Sequence, residues 1–119
     1  MADAWPRELV LNRAERTLRV AFADGTSFIL PAEYLRVESP SAEVQGHAPS
    51  EKKTIGGKRL VMITAVEPVG NYAVRLVFDD GHSTGIYSWS YLAELGHDQP
   101  GRWQAYLDAL TQKGLRRDP

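Results

Sequence analysis

Two Asp-Gly dipeptides, Asp24-Gly25 and Asp80-Gly81, constrain this chain more than any other feature. Leu18, Val20 and Phe22 alternate with other residues on the way into the first, and Phe28 and Leu30 lead out of it. Tyr72, Val74, Leu76 and Phe78 do the same before the second. A period of two places alternate side chains on one face of a strand. Asp-Gly between two such runs signals a hairpin, because glycine supplies positive φ freely, and a type I′ turn is expected at each. The neighbourhoods also echo one another. Val20–Ser27 matches Leu76–Ser83, and Tyr34-Leu35 matches Tyr91-Leu92 with one residue inserted. Each half is therefore expected to run strand, turn, strand, short helix. Two such units are too few for a solenoid. They are expected to pair into one antiparallel sheet with helices on one side, an α+β two-layer sandwich; a small β-barrel with a C-terminal helix is the alternative.

The remaining elements follow from local signals. Glu8–Leu11 predicts a short first strand. Pro31 can open a helix of about one turn over Ala32–Arg36. From Glu38 to Lys58, Gly, Pro and Ser break any periodicity, which predicts a long mobile loop of the kind that is functional when it occurs. Leu60–Val66 is a continuous apolar run and predicts a central strand buried on both faces. Glu67-Pro68-Val69-Gly70-Asn71 predicts a turn. Ser88 is a good N-cap for a helix to Leu95, with Gly96 as its left-handed stop. A last helix is expected over Pro100–Lys113, started by Asp98 or Gln99 and ended by Gly114. Its apolar face is Trp103, Tyr106, Leu107 and Leu110. Trp5 is the tryptophan expected to be exposed.

With 119 residues the chain predicts one domain, 1–119, with its core over about 6–112. A charge balance of 14 basic against 15 acidic residues gives no reason to expect a nucleic-acid partner. The absence of cysteine excludes disulfides and thiolate metal sites within this sequence. No apolar run reaches the roughly 20 residues of a membrane span, and the first residues lack a signal-peptide pattern. A cytoplasmic monomer or weak dimer is the expectation.

Catalytic chemistry finds little support. His82 lies beside Asp80 and Ser83, but adjacent side chains on a strand point to opposite faces, and no Gly-x-Ser-x-Gly elbow is present. Asp80 is expected to cap its turn and His82 to bond nearby backbone. Gly56-Gly57-Lys58 fails the phosphate-loop spacing because Arg59 follows the lysine. Lys52-Lys53 and Lys58-Arg59 fit a solvated loop better than a nucleic-acid patch. The three histidines, His47, His82 and His97, share no metal-ligand motif with one another. Tyr87, Trp89 and Tyr91 fit either core packing or a recognition surface. No cofactor motif is present.

The run Asp80-Gly81-His82-Ser83-Thr84-Gly85-Ile86-Tyr87-Ser88-Trp89, with Leu35-Arg36 and Ser39-Pro40-Ser41-Ala42-Glu43-Val44 before it, resembles the DUF971 family. That is the domain found at the N-terminus of γ-butyrobetaine and trimethyllysine hydroxylases. The resemblance implies a small zinc module in the hydroxylases, with a Cys-x-Cys-x-x-Cys cluster and a histidine after the Asp-Gly turn. His82 stands at the histidine position; Ser39, Ser41 and Val44 stand at the cysteine positions. Such a degenerate site implies folding without metal. The oxygenase catalytic domain has no counterpart here, so hydroxylase activity is not implied. The family's association with iron–sulfur carrier ATPases implies a helper role by analogy. The leading expectation is a non-catalytic accessory domain that binds a protein partner through Asp80, His82, Tyr87, Trp89 and the adjoining 38–58 loop. The alternative is weak metal binding by His82 with His47 or Asp80.

Overall fold

The computed structural model describes residues 5–119. Each half builds its own antiparallel meander. Strands β1 (Pro6–Asn12), β2 (Thr17–Phe22) and β3 (Ser27–Pro31) form one sheet in that order. Strands β4 (Ile63–Val69), β5 (Ala73–Phe78) and β6 (Ile86–Ser88) form a second. Helix α1 (Ala32–Val37) follows the first sheet and α3 (Trp89–His97) the second; α2 (Ala42–Gln45) lies between the halves and α4 (Gln99–Gln112) closes the molecule. The α+β class stands, with the two hairpin units on separate three-stranded sheets. Both sheets turn their apolar faces into one core. Leu18, Val20 and Leu30 meet Leu76, Phe78 and Tyr87 there, together with Leu35 of α1 and Leu92 of α3.

The sequence echo is a structural repeat. β1 slips one residue against β2 between Pro6 and Glu8, and β4 slips against β5 between Ile63 and Ala65, the corresponding place. A bulge of this kind bends a strand and raises its twist, so both sheets bend alike. The helices are then joined by exchange. The Tyr34 hydroxyl of α1 donates to the Leu95 carbonyl of α3 at 2.7 Å, while the Tyr91 hydroxyl of α3 donates to the Glu38 carbonyl after α1 at 2.5 Å. These carbonyls belong to helix C-termini, whose last acceptors have no partner within the helix.

Several local expectations change. Only the glycine of each Asp-Gly turn has positive φ, +91° at Gly25 and +92° at Gly81. Gly25 N–H returns to the Phe22 carbonyl and Phe22 N–H to the Thr26 carbonyl; Phe78, Gly81 and His82 repeat the pattern. The hairpin loops are thus three residues long, a turn followed by a left-handed glycine, and not type I′. The apolar run Leu60–Val66 is not a central strand. Strand β4 starts at Ile63, includes Pro68, and pairs only with β5. Proline lacks the N–H that a second neighbour would need, which suits this edge position, and Leu60 is 55% exposed. Gly96 lies inside α3 and does not stop it. It is small because Phe28 packs on it: a Cβ there would come within 2.4 Å of the ring. Other signals hold. The Ser88 hydroxyl caps α3 by accepting from Tyr91 N–H at 3.1 Å, Gly114 closes α4 at φ +67°, and Trp5 is exposed. Trp103, Tyr106, Leu107 and Leu110 of α4 pack with Val37 and Ile55.

Candidate functional site: a serine–histidine–glutamate relay

The second hairpin turn is built from its own aspartate. Asp80 Oδ1 accepts the His82 amide at 3.0 Å, as Asp24 Oδ1 accepts the Thr26 amide at 2.9 Å in the first turn. Asp80 Oδ2 then takes Arg36 Nε and Lys58 Nζ, both at 2.7 Å. Burial opposes ionisation of Asp80, but Lys58, the His82 amide and Arg36 outweigh it and hold the carboxyl at about 2. Arg36 Nη1 is buried with no hydrogen-bond partner among the described residues.

With the turn fixed, the His82 ring points inward and is only 5% exposed. Nδ1 lies 3.0 Å from Glu43 Oε2 and Nε2 lies 2.8 Å from Ser39 Oγ. An ionised carboxylate only accepts, so Nδ1 carries the proton and Nε2 accepts from the Ser39 hydroxyl. Ser39 Oγ in turn accepts the Ser41 amide at 3.3 Å. Ser41 Oγ bonds Thr84 Oγ1 at 2.7 Å and also accepts the Glu43 amide, capping α2. Desolvation pushes the His82 pKa below its usual value and the Arg36 charge adds to that, while Glu43 and Asp80 oppose them.

Ser39, Ser41 and His82 thus form one hydrogen-bonded cluster, with Val44 buried on the same short helix as Glu43. The segment after α1 is therefore anchored: Ser39 and Val44 are buried, and Lys52 pairs with buried Glu38 at 3.0 Å. Two charges of the basic stretch have partners in the chain, Lys58 on the part-buried Asp80 and Arg59 on the exposed Asp118. Among the described residues no group of three or more His, Asp or Glu side chains is placed to hold a metal ion. His47 lies on an exposed bend with its amide bonded to Glu51, and Asp80 is committed to two cations.

The Ser–His–Glu order matches the polarity of a hydrolytic triad, yet the serine has nowhere to meet a substrate. Ser39 is fully buried, and Gly85 lies so close that a Cβ there would stand 2.5 Å from Ser39 Oγ. The arrangement ties the hairpin to the segment after α1. Glu43 escaped sequence reasoning because 39 residues separate it from His82; the one local signal was its place in the first turn after the Ser41 cap.

Two expected surface residues are internal. Tyr87 is fully buried and its hydroxyl donates to the Leu35 carbonyl at 2.5 Å; desolvation raises its pKa far above the usual tyrosine value. His82 is buried as described. Tyr87 lies on the inward face of β6, where Ile86 points out and Tyr87 in, whereas His82 precedes that strand and is turned inward by the hairpin turn. Trp89 is half-buried and donates its indole N–H to the Asn71 carbonyl at 2.8 Å.

Comparison with known proteins agrees with this architecture. The family described as gamma-butyrobetaine hydroxylase-like, N-terminal, matches residues 9–93. The chain belongs to that family, also called DUF971. A crystal structure of a DUF971 protein of unknown function from Acidithiobacillus ferrooxidans superposes with a TM-score of 0.68 at 39% identity, over 80% of this chain and 98% of that one. Two proteins solved by NMR in solution are more alike, each with a TM-score of 0.85. One is 44% identical over 99% of this chain and 93% of its own; the other is 45% identical over 98% and 87%. No curated protein matches. Among the described residues no helix is long and apolar enough to cross a membrane.

Proposed function

We propose that this chain is a non-catalytic accessory domain that binds a protein partner through the outer side of the Asp80–Trp89 hairpin and the neighbouring 38–58 segment. The observation that carries the reading is a division of labour within one hairpin. Its chemically versatile side chains, His82 and Tyr87, are turned inward and committed to the fold. Its outward position holds an apolar residue, Ile86, 45% exposed beside the Arg75–Glu67 pair. An apolar anchor within a polar rim suits a protein contact better than a reaction. Asp80, Arg36 and Lys58 brace the turn beneath it, and the His82 relay holds the adjoining segment in register. By analogy at the level of domains, the partner belongs to an iron–sulfur or 2-oxoglutarate oxygenase system.

The test is affinity capture with the tagged domain beside Ile86→Asp and His82→Ala, each first checked for a native-like NMR spectrum. A defined partner held by the parent, lost by Ile86→Asp and weakened by His82→Ala supports the reading. Equal capture by all three moves the contact face elsewhere. No defined partner for the parent overturns the proposal.

A further inference from the structure

Among the described residues an apolar cleft lies between the two meanders, where the repeat brings equivalent edges together. Strand β1 is one edge of its sheet and β4 one edge of the other. Leu9 and Leu11 of β1 and their repeat counterparts Val66 and Pro68 of β4 line a cavity of about 490 Å³. That volume falls within the range of small-molecule sites. At its base lie Leu18 and Val74, both buried and both part of the main core. The cleft is a half-open groove whose floor rests on core side chains. Trp89 also lines it, and because the indole N–H is spent on Asn71 the ring offers the cleft apolar surface.

Arg13 is the single charged residue lining the cleft. It reaches from the β1–β2 turn to β4, where Nη2 donates to the Thr64 carbonyl at 2.9 Å. Among the described residues no carboxylate lies within ion-pair reach of it, whereas Arg19 and Arg75 on the sheet exteriors each have a glutamate. An apolar pocket with one uncompensated guanidinium selects for an apolar body with one anionic head, and a planar carboxylate matches the guanidinium fork. Addition of a peptide strand at this edge fits less well. Pro68 removes a backbone donor from β4 and Arg13 already occupies the Thr64 carbonyl. We propose that this cleft is a binding site for a medium-chain monocarboxylate, its chain between β1 and β4 and its carboxylate on Arg13. The proposal is independent of the partner face at Ile86.

The experiment is a methyl and indole NMR titration of the full chain with decanoate, and with decanol as the neutral isostere, repeated on Arg13→Gln. Saturable shifts confined to Leu9, Leu11, Val66, Val74 and the Trp89 indole are expected. Arg13→Gln should weaken decanoate about tenfold, the usual scale of one charge-assisted contact, and leave decanol unchanged. Unsaturable shifts spread over the molecule would overturn the site. An unchanged decanoate affinity in Arg13→Gln would overturn the carboxylate assignment. Shifts of the same methyls on raising protein concentration without ligand would assign the cleft to a second copy instead.

Discussion

At the scale of single residues, side chains that could do chemistry are engaged in holding chain segments together. Tyr34 and Tyr91 each satisfy a helix-terminal carbonyl of the opposite half. Removing the hydroxyl leaves that carbonyl short of a partner in a shielded place, which costs about 1–2 kcal/mol. Tyr34→Phe and Tyr91→Phe should each lower the urea midpoint accordingly, with little change in the slope of the transition. Burial and the neighbouring Arg36 hold the folded pKa of His82 below its ordinary 6.5. The unfolded chain therefore takes up this proton first as pH falls. Stability should be flat above about pH 6.5 and decline below it, until pH passes the lower folded value. His82→Gln should remove that slope while lowering stability at neutral pH. Urea midpoints measured across the acid range for both proteins check the sign.

At the scale of elements, close approach explains Gly85 and Gly96, as positive φ explains Gly25 and Gly81. Gly85→Ala would press a methyl against Ser39 Oγ and the Tyr87 ring, at 2.5 and 3.0 Å. Both neighbours are fully buried, so neither can swing into solvent. The substitution should cost roughly 1–3 kcal/mol and shift the His82 ring resonances, whereas Gly101→Ala, which meets nothing within 4 Å, should do neither. This contrast marks what the sequence could reveal. The hairpins, the Ser88 cap, the α4 apolar face and the Gly114 stop were legible because each depends on residues a few positions apart. The edge placement of β4 was not: Leu60–Val66 has the composition of a central strand, and only the second sheet's strand order corrects it. Gly96 looked like a helix stop because its real reason, Phe28, is remote in sequence. At the candidate site, His82 and Ser39 were legible from the family pattern, while the Glu43 partnership and the burial of Tyr87 depend on how the halves dock.

At the scale of the whole molecule, the two sheets share one core and exchange tyrosine bonds, so neither meander is complete alone. Heat should unfold the chain in one cooperative transition, with calorimetric and van't Hoff enthalpies in agreement. Two separable transitions would show that the halves are independent units. The matched bulges and the reciprocal hydroxyl-to-carbonyl bonds have the form expected of a fused dimer. When patch i meets patch j and j meets i, the contact is of the self-complementary kind that two identical subunits make about a dyad. A half-length ancestor pairing with its own copy would form the same bond twice, and fusion of the two copies would preserve it. Once fused, the copies no longer had to stay identical. Thr26 and His82, at equivalent places after the two turns, show how the halves differ: the first turn is a plain hairpin and the second carries the relay.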